Sequence, residues 1–462
     1  MDQQVVVGID FGSSRIKAAA YRRDGRVVGA LSAATPLAVT AEGDDFLVLR
    51  MLEEAASLVR GLDLPRGAVA GVGLSSMGEV GTILADGVLA DIAFPSWYDG
   101  RGAEVVALLE RRWGADELRR ATGNHARPAS TVAKLGHLAG RERLPEGMFL
   151  GLCGAFAWQL TGRPWQEAGL AVTSGVYDDG RAGYLRHVWE DAGLSGIELP
   201  PVRPAGHAEA ASTPLALDLG LADGAPVVIA GHDHPVAAVG AGVRRGEVAD
   251  SMGTGEALIA VVDAADDPRH RDAALAADPY ISFEVWPPTG EPLVVWERMR
   301  PGLAMRSFVE HSGTDRASLE AHAPASASTG AVDEAVSLAL ERGEDGGLAP
   351  TAASWAAIIE YYVALANRGQ RIVREIAGAA GPTVLTGGGL RSPRWRRAKA
   401  LRGRAPMVVS TIEETVTRGC AAMAGAAAGW WTDAQSMPGA ERVSIGVHAV
   451  ADMDAAVARI GS

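Results

Sequence analysis

The sequence predicts an α/β protein of two lobes, on three observations. At 462 residues the chain is longer than one core ordinarily organises, since domains run to about 100–200 residues. Each half carries a strand, a polar Gly-containing turn and a returning strand. In the first half these are Val5 to Asp10, a turn at Gly12, and Arg15 to Tyr21. In the second they are a run ending near Met252, the turn Gly253-Thr254-Gly255, and Ala257 to Val262. Two other strand-like runs, "APVVIAGHD" from Ala225 and "PTVLTGGGLRSPRW" from Pro382, end in polar or Gly-rich junctions that lead into helices.

Composition narrows the class. With 48% hydrophobic and 21% charged residues the chain has the make-up of a folded globular protein. A net charge of -13 and only three lysines, Lys17, Lys134 and Lys399, leave no concentrated basic stripe, which argues against a nucleic-acid surface. Cys153 and Cys420 sit in Ala/Gly-rich apolar stretches and read as buried free thiols of a reducing compartment, not as a disulfide framework or zinc site. "MDQQVVVGID" has no basic stretch ahead of an apolar core, and no run of 18 apolar residues follows. The expectation is a soluble cytoplasmic protein without membrane contact.

The elements follow in order. Val5 to Asp10 is β-branched almost throughout, as in a strand buried on both faces, and "FGSS" turns it into Arg15 to Tyr21. Asp24-Gly25 is a hairpin signal before "VVGAL", so the N-terminus reads as a meander. Near the C-terminal end, Ser392 and Pro393 fit the N-cap and first position of a helix. Thr411 and Glu414 have capping-box spacing ahead of "TVTRGCAAMAGAAAG", whose small residues suit close packing on a sheet.

Several stretches carry chemistry. In Asp10 to Lys17, Gly12 permits a sharp turn, successive N–H groups with the hydroxyls of Ser13 and Ser14 can face an anion, and Asp10 can hold a hydrated Mg²⁺. Gly253, Thr254 and Gly255 have the same two readings as that segment: phosphate clamp or plain hairpin. Gly387, Gly388 and Gly389, between a buried strand and a capped helix, suggest a backbone that must approach a ligand closely. His232 and His234 share one side of an extended segment and can be read as metal ligands, but the other histidines lie in no ligand-spaced cluster. Between them, Asp233 at a strand end before a Gly/Ala-rich helix suits a general base. Trp97, Asp99 and Arg101 put a flat ring, a carboxylate and a guanidinium within five residues, as binding of a polyhydroxylated molecule requires; a capped loop with one ion pair reads equally well.

Taken together and in this order, "GIDFGSSRIKAAAY", "GVGLSSMGEVGTILADG", "WYDGR", "LPPV", "GHDHPVAAVGAG", "DSMGTGEAL" and "VLTGGGLRSPRW" resemble the FGGY carbohydrate kinases of the actin-like ATPase superfamily, over nearly the whole chain. The resemblance implies an α/β fold of two ribonuclease H-like lobes with a central cleft: residues 1–243 as an N-terminal lobe with the sugar site, first phosphate motif and catalytic aspartate, and 244–462 as a C-terminal lobe with the second phosphate and adenosine motifs. It implies ATP and Mg²⁺, with Asp233 as catalytic base and Asp10 near the metal. Gly12, Ser13, Ser14, Lys17, Gly253, Thr254, Gly255, Gly387, Gly388 and Gly389 fall on nucleotide contacts, and Glu79, Trp97, Asp99, Arg101, His232 and His234 on the sugar side. The implied partners are ATP and a small sugar, with a homodimer left open.

The departures bear on substrate and nucleotide alike. Ser13 stands where the family usually has Thr. "SSMGE" replaces the motifs of xylulose and glycerol kinases, keeping Glu79 without its usual companions. "VWERMRPGLAMRSFVE" and "EAHAPASASTGAVDEA" stand where a G-E-R-x-P stretch and a Gly-Leu segment are expected, so the second lobe reads as shortened. The leading expectation is an ATP-dependent kinase of a ketose or related polyol, a pentulose first because "WYDGR" is most like the xylulose kinases. The alternatives are a non-catalytic sugar or nucleotide sensor, and a metal hydrolase built on His232, Asp233 and His234.

Overall fold

A computed structural model describes residues 4–178, 182–262, 268–324, 327, 329–445 and 450–460. Positions 325, 326 and 328 of the Ala/Ser-rich stretch lie outside the described residues. The chain forms two compact units, each assembled from three segments. The first comprises Met1–Gly240, Ala265–Pro292 and Val416–Gly439; the second comprises Ala241–Ala264, Leu293–Thr415 and Ala440–Ser462.

In the first unit, β1 (Val5–Phe11), β2 (Arg15–Tyr21), β3 (Val27–Ala34), β4 (Val69–Ser76), β5 (Ala208–Ala210) and β6 (Pro226–His232) form one sheet in the order β5-β6-β4-β1-β2-β3. β1, β2 and β3 are the antiparallel meander expected of the sequence, and Gly25 closes its hairpin with its N–H on Arg22 O. β4 lies parallel to β1, and β6 parallel to β4. All seven residues of β1 are buried, which is why its apolar run is nearly continuous rather than alternating. Helix α1 (Val48–Gly61) buries Met51, Leu52, Ala55, Leu58 and Val59, the three- and four-residue spacing of one helical face, in the same core as Val5, Val7, Ile9 and Phe11. Helix α2 (Asp233–Gly240) follows β6 directly.

The strands of the second unit are β7 (Val248–Met252), β8 (Glu256–Val261), β9 (Pro292–Met299), β10 (Thr383–Thr386), β11 (Met407–Ser410) and β12 (Arg442–Ile445). They run β9-β8-β7-β10-β11-β12. The first three are antiparallel, β10 and β11 continue parallel to β7, and β12 is an antiparallel edge. The sequence of pairing senses is that of the first sheet. The likeness suggested by two turns thus extends to whole sheets, except that the antiparallel edge strand precedes its neighbour in the first unit and follows it in the second. Helix α3 (Ala352–Ala377) is capped by Thr351, which accepts from Ser354 N, and buries Trp355, Ile359, Tyr362, Val363, Ala366 and Val373. Helix α4 (Pro393–Arg402) has Ser392 as its N-cap, accepting from Trp395 N at 3.2 Å, with Pro393 first, as the sequence predicts. Buried Lys399 ties α4 to the sheet through Asp250, at 2.6 Å, and Glu256.

Helix α5 (Thr415–Ala427) begins later than the capping-box spacing predicts. Thr411 does not cap it: the helix starts at Thr415, and Thr411 is held outside it, its N–H and its hydroxyl both donating to Glu441 O at 3.1 Å. From Val416 onward α5 belongs to the first unit. It lies directly on the centre of that sheet, so close that a Cβ built on Gly73 would stand 2.0 Å from Cys420 O. Tyr21 and Thr417 share a hydrogen bond of 2.9 Å on the same contact.

Candidate active site

The parallel strands of the first unit bring three polar segments to one edge. Ser76, at the end of β4, is in register with both Phe11 of β1 and His232 of β6. The Asp10–Gly12 turn, the Met77–Glu79 loop and the His232-Asp233 junction therefore leave the sheet at one level. The carboxyl ends of parallel strands are where open α/β sheets bind ligands.

At the first junction, Asp10 is 6% exposed. Its carboxylate lies beneath the turn, 3.8 Å from where a Cβ on Gly12 would stand. The turn is fixed by Gly12 N donating to Arg15 O at 3.2 Å and Thr35 Oγ1 donating to Gly12 O at 2.7 Å. Ser14 is exposed and Ser13 half-buried. Lys17 stands opposite Asp10 across β1 and β2 and so shares its face of the sheet.

At the third junction the backbone is irregular for a reason. The pairing of β6 with β4 slips between Ile229 and Gly231, and Gly231 has φ +128, a conformation that L side chains avoid. The bulge re-aims the residues after it. His232 and Asp233 emerge with Asp233 as the first residue of α2, whose N-terminus favours a negative charge. Asp233 Oδ1 accepts from His234 N at 2.7 Å and lies 3.3 Å from His232 Nε2. Oδ2 has no hydrogen bond within the described residues and is the oxygen left to receive a proton.

His232 bridges this aspartate to a second carboxylate, its Nδ1 lying 2.9 Å from Glu284 Oε2. Burial opposes charge on the ring, but Glu284 and Asp233, with Glu79 adding to them, hold its pKa well above the usual value. The two carboxylates on either side of the ring thus favour its imidazolium form. Behind it, Glu167 is 2% exposed and accepts from Leu170 N at 3.1 Å. A Cβ on Gly231 would stand 3.4 Å from its Oε2. Burial, with the charge of Glu284 adding to it, pushes the Glu167 carboxyl up to about 7.

That shift has a measurable consequence. Because the folded-state pKa of Glu167 is raised, folding favours its protonated form, and the stability this gives declines as pH rises from about 4.5 to about 7. Glu167→Gln, which keeps an acceptor for Leu170 N, is expected to be more stable than wild type at pH 8, by up to about 3 kcal/mol, and to converge with it near pH 4.5. Denaturant melts at the two pH values test this; equal gaps at both would refute it.

In the segment with Trp97, Asp99 and Arg101, the carboxylate and the guanidinium are engaged by protein partners. Asp99 Oδ2 receives Ser96 Oγ at 2.8 Å and Arg101 Nη2 at 2.6 Å; Oδ1 receives Arg101 N and Lys134 Nζ, each at 2.9 Å. Arg101 Nη1 reaches Asp45 at 2.6 Å. Burial opposes ionisation of Asp99, but Arg101 and Lys134 hold its carboxyl far below the usual range. Trp97 is half-buried beside Tyr98, ring centroids 5.5 Å apart, and Glu79 O accepts from Thr131 Oγ1 at 3.0 Å. Sequence reasoning missed Lys134, Glu167 and Glu284. A lysine inside the apolar helix stretch "TVAKLG" and a glutamate inside the strand "ISFEV" were the available signals.

In the second unit, the turn between β7 and β8 is closed by Gly253 N on Gly255 O at 3.0 Å, with Thr254 exposed and its carbonyl accepting from Gly302 N. Gly387, with φ +92, and Gly388 are exposed after β10, while Gly389 is buried. Both are strand-end turns, as expected. Among the described residues no group of three or more His, Cys, Asp or Glu is placed to hold a metal ion, so His232 and His234 are not part of one. Cys153 and Cys420 are buried and unpaired, and no helix among the described residues is long and apolar enough to cross a membrane.

A family model of the N-terminal domain of the FGGY carbohydrate kinases matches residues 5–240. The chain belongs to the FGGY family of carbohydrate kinases. Among curated FGGY relatives, L-fuculokinase of Salmonella typhi is 29% identical over 276 residues, 56% of this chain and 57% of that protein. The match thus spans little more than half the relative's length. Gluconate kinase from Lactobacillus acidophilus superposes with a TM-score of 0.79 at 16% identity, covering 98% of this chain and 96% of that one. Xylulose kinase from Rhodospirillum rubrum does so with 0.78 at 19% identity, covering 99% and 97%. At such identities the likeness establishes the FGGY fold, with its actin-like pair of α/β units.

Proposed function

We propose that the protein is a cytoplasmic ATP-dependent carbohydrate kinase that transfers the γ-phosphoryl group of Mg-ATP to a hydroxyl of a ketose or related polyol. The observation that carries this is Asp233: a carboxylate at a helix N-terminus with Oδ1 fixed by His234 N and faced by His232, and with Oδ2 left to accept a proton. In this reading Oδ2 takes the proton of the attacking hydroxyl as the phosphoryl group moves in line, so the protein's work is positioning and charge stabilisation. Gly12, Ser13, Ser14 and Lys17 receive phosphate oxygens. A buried carboxylate such as Asp10 suits a Mg²⁺ that keeps most of its waters and is held chiefly by substrate phosphates. Within the second unit, Gly253, Thr254 and Gly255 and the run Gly387, Gly388 and Gly389 contact nucleotide. Glu79, His232, His234 and Trp97 face the sugar, while Asp99 and Arg101 shape the loop that carries Trp97.

The substrate is sought among pentuloses, favoured by "WYDGR", and L-fuculose, the sugar that the name of the L-fuculokinase relative points to. The test is ADP release from Mg-ATP against tetruloses, pentuloses, hexuloses, 6-deoxyketoses, their polyols and glycerol. One compound raising turnover far above background supports the kinase; none doing so, with nucleotide still bound, replaces it with a sensor.

His232 supplies a second test. Its pKa is raised, so the stabilisation from its carboxylate partners is complete below about pH 6.5 and is lost as pH rises through the raised value. Glu284→Gln removes the first of those partners. It is expected to move the basic limb of the kcat–pH profile to lower pH; an unmoved limb would show that His232 does not act through Asp233.

A further inference from the structure

We propose that the second unit carries a separate binding site for a small molecule with two or more phosphate groups, in an arginine-lined cavity at the starting edge of its parallel strands. The cavity holds about 780 Å³ and is lined by Arg368, Arg371 and Arg374 of α3, by Arg402 and Arg404 at and beyond the end of α4, and by Glu360 as its one acidic side chain. In a chain of net charge -13, five guanidiniums around one cavity are a local reversal of sign.

The accounting of partners separates scaffold from site. Arg374 is committed: Nη1 donates to Ala379 O and Gly381 O, and Nη2 to Thr383 Oγ1. Glu360 is neutralised twice over, by Arg394 at 2.6 Å and by Arg402 at 3.1 Å. Arg368, Arg371 and Arg404 are exposed and make no hydrogen bond or ion pair with any described residue. Arg368, Arg371 and Arg374 recur every third residue on α3, which brings like charges together on one helical face at a cost. A bound polyanion would remove that repulsion, and forked guanidinium donors match phosphate oxygens in pairs. The volume falls in the range of pockets for metabolite-sized ligands and is far larger than one inorganic phosphate fills.

The site is distinct from the nucleotide contacts proposed above. Thr383, which anchors Arg374, is the first residue of β10, whereas Gly387 follows its last. Likewise Arg404 precedes the first residue of β11. The cavity therefore opens at the opposite end of the parallel strands from the Gly-rich junction, and its occupancy does not depend on the kinase reading.

The experiment is calorimetric titration of the full chain, without Mg²⁺, with inorganic tripolyphosphate and with a hexose 1,6-bisphosphate, against orthophosphate as the single-phosphate control. Lys17→Ala and the double variant R368A/R371A are titrated in parallel. Both arginines are exposed helix positions where Ala is well tolerated, and an unchanged thermal melt verifies the fold. At least one of the two probes is expected to bind more than tenfold tighter than orthophosphate. R368A/R371A weakens it at least tenfold and Lys17→Ala leaves it unchanged; the tighter probe tells a sugar phosphate from a linear polyphosphate. No binding of either probe at 1 mM, approximately the weak limit for a specific metabolite site, or equal binding by R368A/R371A, overturns the proposal. Binding lost only in Lys17→Ala would place the anion at the Gly12 turn instead and overturn it too.

Discussion

Asp233→Asn is expected to lower kcat by about 10²–10⁴-fold, the usual worth of a positioned general base, while the KM for sugar and the melting midpoint stay close to wild type. The amide oxygen still accepts from His234 N, so the start of α2 keeps its geometry. What disappears is the charge on Oδ2, which accepts no hydrogen bond among the described residues, together with the negative charge that Asp233 places beside His232. Steady-state kinetics on the sugar identified by the panel decide the matter. A variant that turns over at near-normal rate would take Asp233 out of the base role, and one that fails to bind sugar would make it a binding residue.

The second large effect is on folding. Gly73→Ala is expected to cost about 3 kcal/mol, the upper end of overpacking penalties, because the new methyl would stand 2.0 Å from Cys420 O, a backbone atom that cannot rotate away. Helix α5 would have to lift from the centre of the first sheet, disturbing the Tyr21–Thr417 hydrogen bond as well. The neighbouring variant Gly71→Ala is the control: its methyl would meet Ala424 O at 3.2 Å, a contact that a small adjustment relieves. Urea melts of the two variants are expected to differ clearly, with Gly73→Ala the less stable; equal midpoints would mean that α5 does not depend on this close approach.

What was legible in the sequence is what local patterning controls. β1 and β2 were readable to within a residue of their ends, because an apolar β-branched run and a Gly-containing turn are decided within a few positions. The place of Asp233 at a strand end was readable for the same reason. Glu284, the partner of the adjacent His232, lies 52 positions from that histidine, and Lys134 reaches Asp99 across 35; nothing in either neighbourhood specifies those meetings. Thr411 marks the opposite case. Its local spacing fits a helix start, but Glu441, 30 positions on, takes its hydrogen bonds, and tertiary contact prevailed over propensity.

The weaving of the chain has a consequence for its biosynthesis. The sheet of the first unit is complete once β6 has been made, yet the helix that covers its centre lies in the Val416–Gly439 segment. At a translation rate of about 5–20 residues per second, those strands wait roughly 10–40 s on the ribosome with the Gly73 face bare. During that interval the nascent chain exposes an apolar sheet surface without its own cover, so its yield in the cell should depend on chaperone capacity. The barrier would ease on supplying residues 416–439 early, as a circular permutant beginning near Val416 would do.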